Sequence, residues 1–397
     1  MRITITLNRA VVLGTARSGQ AAAALLERNG VEVIMAGRDL GNDDDVSLLD
    51  GADVLVKSPG VPRDNPLVAA AHIPIWSEVE LGYRLLPNPI LGVTGTNGKT
   101  TTTEWIGAMF RAAGRDVAVA GNVGNSLTGV DVPADTWIVC ELSSFQLEDI
   151  HEFRPRIAVL VNLEPDHLDR HGSLDAYREA KLRIFENQLW EDTAVVPRGF
   201  GDVPGAAKPK EFTADDELPA EPGLPGRHNR ENAAAATAAA RAADIPDEAI
   251  ADALRTFPGV PHRLELVAEL NGVRFVNDSK ATNAAAARRA LAAYDVPLHV
   301  ILGGSRKGES FDQLARELRG RGYLIGETAD ELAAALGRSG VPYVVCGDLT
   351  TAVGAAAEAA RAGEVVLLSP ACASYDQFRD FEQRGEEFRR LVQNLSG

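Results

Sequence analysis

Short apolar runs ending at polar residues recur along the chain, and most are followed by a stretch with helical periodicity. The first run is "AVVLG". The alanine-rich "QAAAALLERNG" follows it, with Gly30 as its cap, and then the strand "VEVIM". "ADVLVKSPGV" repeats the pattern, and "LLPNPI", with two prolines, reads as a linker. A second block opens at "ILGVTG" and contains the strands "DVAVAG", "TWIVCEL" and "RIAVLVNL". A third follows "FPGVPHR", with "RFVNDS", "HVILGG", "YVVCG" and "EVVLLSP". Residues 198–226, rich in glycine, proline and charge, read as a loop. Alternation of this kind predicts parallel α/β sheets, with ligands at the carboxyl ends of the strands.

The second block carries the clearest chemistry. "ILGVTG" is an apolar strand, "TTTTEWIGAMFRAAG" is helical, and "TGTNGKT" lies between them. Glycines let backbone N–H groups close on phosphate oxygens, and the helix N-terminus adds its dipole. Gly95, Thr96, Asn97, Gly98, Lys99, Thr100 and Thr101 form this loop, with Lys99 for the β- and γ-phosphates and the Thr100 hydroxyl for Mg²⁺. The strict phosphate-loop pattern has glycine where Val93 stands, so this is a variant. The loop alone does not separate a motor, a switch, a kinase and a ligase.

Other strand ends converge on the same side. "IVCELSSFQLE" brings Glu141, either a Mg²⁺ ligand or an ordinary capping acid. "VLVNLEPDHLDRHG" brings Asp166, His167, Asp169 and His171, either surface groups or metal ligands. In "SLDAYREAKLRIFENQ", Leu174, Tyr177, Ile184 and Phe185 all fall within about 60° of Lys181 on a helical wheel. A lysine thus sits in the middle of an apolar stripe. Either it snorkels, or burial favours its neutral amine. A neutral amine adds CO₂ to give a carbamate, which replaces a cation with an oxygen ligand for Mg²⁺.

The outer blocks are less specific. "LGTARSG" is a poor dinucleotide fingerprint because Ala16 replaces its second glycine, which weakens an NAD-dependent oxidoreductase. A diphosphate near Ser18 and Gly19 remains reasonable, with Arg38 on a phosphate or base. "RFVNDSKATN", "GGSRKGESF" and "LLSPACASYDQFRDF" place hydroxyls and cations at strand-to-helix junctions, which suits a small acidic substrate. Asp278 and Ser374 are also expected to cap helices there.

The 397 residues, 45% hydrophobic, suffice for two or three domains. A net charge of −16 excludes general nucleic-acid binding. Three scattered cysteines, Cys140, Cys346 and Cys372, fit a reducing compartment, and no run reaches membrane-spanning length. A cytoplasmic protein with no membrane partner is expected.

"GVTGTNGKTTT", "ELSSFQLE", "PDHLDRHGS", "GRHNREN", "PHRLE", "NDSKATN" and "SPACASYDQFRDFEQRG" occur in that order, and with them nearly the whole chain resembles the bacterial Mur ligases. The resemblance implies three domains: Rossmann-like and UDP-sugar-binding at 1–87, P-loop NTPase-like and ATP-binding at 88–259, Rossmann-like and amino-acid-binding at 260–397. It implies a monomer that phosphorylates the L-alanine carboxylate of UDP-N-acetylmuramoyl-L-alanine with ATP and couples it to D-glutamate. By motif position, Lys99 and Thr100 hold the triphosphate and a first Mg²⁺, with Glu141 as ligand. His167 and a carbamate on Lys181 hold a second Mg²⁺. Asn229, Asn232, Arg263 and Asp278 contact the nucleotide; Ser18, Arg38 and Asn122 the UDP-sugar; Lys280, Thr282, Lys307, Ser374 and Phe381 the D-glutamate. Ala36 stands where an acid is expected before Arg38, so uracil contacts fall to backbone or to Asp39. The rival classes are a nucleotide switch, which hydrolyses ATP with no acceptor, and a folate-type amino-acid ligase of the same superfamily.

Overall fold

The computed structural model describes residues 7–122, 125–224, 226–306 and 310–395. The chain divides into two compact units, residues 1–257 and 258–397. Unit one contains two sheets. The first has β1 (Arg9–Leu13), β2 (Glu32–Ala36), β3 (Val54–Lys57) and β4 (Ile75–Ser77), in the order β2-β1-β3-β4 and all parallel. The second has β5 (Ile90–Thr94), β6 (Val117–Gly121), β7 (Trp137–Glu141), β8 (Ile157–Leu160), β9 (Thr193–Pro197) and β10 (Pro209–Phe212). Its order is β10-β9-β8-β5-β7-β6, again all parallel. Every residue of β5 is buried, as a strand covered by helices on both faces requires. Strand β10 lies within the segment read as loop.

The helix Lys99–Ala112 follows β5 and packs on the alanine-rich helix Arg227–Ala242. Small side chains allow that close approach. Trp105 anchors the other side: its ring stacks on Phe257 at 5.1 Å, and its Nε1 donates to the Ala253 carbonyl.

A buried carboxylate joins the two sheets of unit one. Glu80, on the helix Glu78–Leu85, is fully buried and accepts the backbone N–H groups of His151, Glu152 and Phe153 plus the Arg84 Nε. Nearby, Lys57 at the end of β3 pairs with Asp149 at 2.9 Å. Removing the Glu80 acceptor strands three N–H donors and leaves Arg84 with Glu152 as its remaining carboxylate. Glu80→Ala is therefore expected to destabilise unit one by about 3 kcal/mol, read as a lower urea midpoint with an unchanged slope.

Unit two holds β11 (Glu265–Leu270), β12 (Val273–Asn277), β13 (Leu298–Gly303), β14 (Gly320–Ile325), β15 (Tyr343–Gly347) and β16 (Val365–Leu368). The order is β11-β12-β16-β13-β14-β15, parallel except for the β11–β12 hairpin. Asn271 and Gly272 turn that hairpin with φ of 52° and 76°, the positive pair that its tight turn demands. Sequence reasoning missed β11, although "NG" between apolar residues is the signal for it. Among the described residues no helix is long and apolar enough to cross a membrane.

Candidate active site

Strand β5 lies between β8 and β7, so the turn after it opens at the carboxyl edge of the sheet. That turn is Gly95–Gly98. Gly98 adopts φ 77°, a left-handed conformation that starts the helix Lys99–Ala112. A Cβ there would lie 2.1 Å from the Asn232 Oδ1, so the second glycine and the buried Asn232 pack directly together.

The segment after β8 clamps the loop. Asn162 Oδ1 accepts the N–H groups of Thr96 and Asn97, and its amide donates to the Asn97 carbonyl. The Thr96 hydroxyl bonds to the backbone of Glu164 and lies 3.1 Å from the Tyr177 hydroxyl. Asn162, Glu164 and Tyr177 are site residues to which sequence reasoning gave no role in the loop. The polar end of "RIAVLVNL" beside a phosphate loop was the available signal for Asn162.

Two lysines meet at one carbonyl. Lys99 Nζ donates to Gly95 O at 3.0 Å and Thr96 O at 3.1 Å, while Lys181 Nζ donates to the same Gly95 O at 2.7 Å. Lys181 is 2% exposed, and its Nζ lies 4.7 Å from the Tyr177 ring centroid. Burial, reinforced by the Lys99 charge and opposed by Asp166 and Glu141, lowers its pKa to about 7. The apolar stripe around it differs in part from expectation. The α-helix ends at Leu182, and Ile184 and Phe185 are buried in a 3₁₀ turn. Leu174, in the first turn, is exposed.

Glu141 ends β7 and is 3% exposed, with one carboxylate oxygen accepting Asn122 Nδ2 at 3.2 Å. Thr100 is buried in the first turn of the loop helix. His167 has φ 50°, donates its N–H to Asp166, and holds its ring 5.1 Å from Phe145. His171 instead has its ring nitrogens against Ser144 Oγ (3.0 Å) and Glu148 (3.5 Å). Among the described residues no three His, Cys, Asp or Glu side chains group tightly enough to hold a cation alone. Mg²⁺ suits this site, because it retains water and takes phosphate oxygens beside one or two protein ligands. A buried carboxylate, a threonine hydroxyl and an amine able to become a carbamate match that demand.

In the first sheet, Gly14 and Gly19 bring the turn after β1 against the start of the helix Arg17–Arg28, which carries Ser18. A Cβ on Gly14 would lie 2.4 Å from Ser58 Oγ, and one on Gly19 1.8 Å from the Gly14 carbonyl. Arg38 is exposed beside Asp43, and Asp39 accepts the Thr15 hydroxyl.

In unit two, Asp278 does not cap a helix. It accepts Leu264 N–H and Ser369 Oγ, and burial pushes its pKa up to about 7. Asn283 caps the helix Ala284–Leu291 in its place. Ser374 likewise sits in a turn, and Asp380 caps the helix Phe381–Asn394. Thr282 follows Lys280 in a tight turn after β12. Phe381 faces the His262 ring at 6.2 Å, and its carbonyl accepts Ser279 Oγ. Arg384, another residue that sequence reasoning missed, is 1% exposed. It donates to Ser279 O and Oγ, Cys372 O and Ala373 O, tying the "NDSKATN" and "SPACAS" segments together. Burial lowers its pKa to about 10. Lys307 lies outside the described residues.

The Mur ligase middle domain model matches residues 93–200, and the Mur ligase glutamate ligase domain model matches residues 262–372. The UDP-N-acetylmuramoylalanine–D-glutamate ligase of Natranaerobius thermophilus is 41% identical, over 95% of this chain and 90% of that protein. The enzyme of the same name from Anaeromyxobacter dehalogenans is 42% identical, over 97% of each. Among solved structures, the UDP-N-acetylmuramate–alanine ligase of Thermotoga maritima is similar with a TM-score of 0.60 and 20% identity, covering 98% of this chain and 100% of that one. FolC of E. coli, in complex with DHPP and ADP, is similar with a TM-score of 0.57 and 19% identity, covering 80% and 92%. Both structures speak to the fold alone.

Proposed function

The chain belongs to the Mur ligase family, among the UDP-N-acetylmuramoylalanine–D-glutamate ligases, and from that membership we infer that it uses ATP to join D-glutamate to UDP-N-acetylmuramoyl-L-alanine in peptidoglycan precursor synthesis. The reaction begins with transfer of the γ-phosphoryl group to the L-alanine carboxylate. A carboxylate is a poor electrophile, and phosphorylation gives it a leaving group. The D-glutamate amine then attacks the acyl carbon, the tetrahedral intermediate expels phosphate, and the amine proton is released. Positioning and charge neutralisation supply most of the acceleration.

The three sheets divide the labour in this proposal: the first binds the UDP-sugar, the second ATP, the third D-glutamate. Residues 1–87, 88–259 and 260–397 are the corresponding domains. The N–H groups of the phosphate loop and Lys99 hold the triphosphate, and Asn229 and Asn232 contact the nucleotide. Thr100 and Glu141 would hold one Mg²⁺, and His167 with a carbamate on Lys181 a second. Bound there, Mg²⁺ neutralises phosphate charge and polarises the acyl oxygen. Ser18, Arg38 and Asn122 bind the UDP-sugar, and Lys280, Thr282, Lys307, Ser374 and Phe381 the D-glutamate. In this proposal the chain acts as a cytoplasmic monomer on small-molecule substrates.

The observation that carries this reading is the buried Lys181 amine sharing the Gly95 carbonyl with Lys99 at the phosphate loop. A buried lysine beside the phosphate loop whose pKa is lowered to about 7 is suited to carbamylation. ADP release is expected only when UDP-N-acetylmuramoyl-L-alanine and D-glutamate are both present. Release independent of either would overturn the ligase assignment, and release triggered by a pteridine acceptor would move it to the folate branch.

A further inference from the structure

The segment "SSFQLE" contributes more than a strand end. Glu148 is largely buried, and two guanidinium groups and an imidazole surround it. Arg170 Nη2 lies 3.4 Å and Arg63 Nε 3.5 Å from Oε2, and His171 Nδ1 lies 3.5 Å from Oε1. Its main-chain carbonyl accepts Arg183 Nη1. Beside it, the Phe145 ring meets three partners: the Arg170 guanidinium at 4.5 Å, the His171 ring at 5.5 Å and nearly parallel, and the His167 ring at 5.1 Å.

These partners belong to one short element. Leu168–His171 is a single four-residue helical turn, and His167 precedes it with φ 50°. A turn that short has no stability of its own. Its last two residues, and the His167 ring before it, lean on the neighbouring "SSFQLE" segment. Both Arg170 and His171 touch Glu148 and Phe145. Arg170 also donates to the Val61 carbonyl at 3.3 Å, and Arg63 lies two residues further on. Val61 and Arg63 belong to the loop after β3, whose Ser58 abuts Gly14 in the first sheet. A cavity of about 690 Å³ lies alongside, lined by Arg63, Glu148, Arg170, His171 and Arg183.

We propose that Glu148, seconded by Phe145, is a positioning residue that sets His167 and ties it to the loop after β3. In this role it acts through Arg170 and His171. Binding of the UDP-sugar on the first sheet and readiness of the second metal position are thereby coupled. The proposal rests on the reading of His167 as a metal ligand.

The test uses Mn²⁺ as the probe, titrated by electron paramagnetic resonance onto full-length enzyme with a non-hydrolysable ATP analogue, alongside steady-state kinetics. Glu148→Gln, which keeps shape and loses charge, is expected to weaken the second Mn²⁺ about 10-fold, as loss of a group orienting a ligand histidine typically does. The KM for UDP-N-acetylmuramoyl-L-alanine rises with it, while the KM for D-glutamate stays unchanged. Phe145→Leu is expected to shift the same two quantities less, and it decides the matter if Glu148→Gln fails to fold. His167→Ala separates the two levels. If it weakens Mn²⁺ and neither Glu148→Gln nor Phe145→Leu does, the positioning role is overturned and the ligand role stands. If His167→Ala leaves Mn²⁺ binding intact, the ligand role fails and the positioning role falls with it. An equal rise in the D-glutamate KM would mark a general structural defect and would also overturn the proposal.

Discussion

Lys181→Ala is expected to lower kcat by about 10³-fold, the scale on which removing a preorganised charge-stabilising group acts, with partial recovery when formate, acetate or propionate is added. The physical basis is the enclosure of the amine. Lys181 is 2% exposed, shares an acceptor with Lys99, and has a pKa lowered to about 7. Carbamylation consumes the neutral amine and CO₂ and releases one proton, so it is favoured as pH rises through that value. Below it the ammonium form prevails, and the carbamate is lost. Enzyme held at pH 6 in CO₂-free buffer should be inactive and should recover on return to pH 8 with bicarbonate. The alanine variant leaves a cavity that a short carboxylic acid can enter, supplying the oxygens the carbamate would carry. ¹³CO₂ labelling provides the direct readout: a carbamate resonance in the parent enzyme and none in Lys181→Ala. Full activity in the variant, or a labelled parent with no such resonance, would sink the role.

The features legible in the sequence are those whose signal is local. The phosphate loop is contiguous, and an apolar strand and a helix frame it. Lys181 was found by periodicity, because the charge at its own position conflicts with the stripe around it. Even there the period alone misjudged Leu174, which lies at the helix start beyond the covering elements. Capping at Asp278 and Ser374 was misread for a related reason. A cap depends on where the helix begins, and both helices begin several residues later, at Asn283 and Asp380. Arg384 and Glu148 are illegible because their partners are far away in the chain, Ser279 and Arg63 respectively, whereas Asn162 carries only the weak local signal of a polar strand end. A buried guanidinium is visible as such only once its carbonyl acceptors surround it. The hairpin strand β11 is the opposite case: its signal is local, an Asn-Gly turn between apolar residues, but its antiparallel pairing breaks the parallel pattern of the rest.

The second large effect is expected at Gly98. Gly98→Ala should reduce kcat/KM for ATP by about 10³-fold, or about 4 kcal/mol of lost transition-state binding. Two penalties combine. The φ of 77° is a left-handed conformation, which costs an L-residue about 1–2 kcal/mol. The new methyl would also stand 2.1 Å from Asn232 Oδ1 and 2.9 Å from its Cγ. Asn232 cannot easily retreat, because it is buried on a helix packed against the loop helix. The loop must move instead. Thr96 and Asn97 anchor it through their N–H groups to Asn162, so displacement breaks that anchorage and misplaces the rest of the loop against the phosphates. The loss should appear first in the KM for ATP and in binding of a non-hydrolysable analogue, with the D-glutamate KM unaffected. A second substitution separates the penalties. Measured against Asn232→Ala alone, adding Gly98→Ala should cost less than it does in the parent, because the clash is gone and only the backbone strain remains. If the cost is the same in both backgrounds, strain rather than contact governs the loop. If Gly98→Ala binds ATP as tightly as the parent, the phosphate cradle does not depend on this glycine.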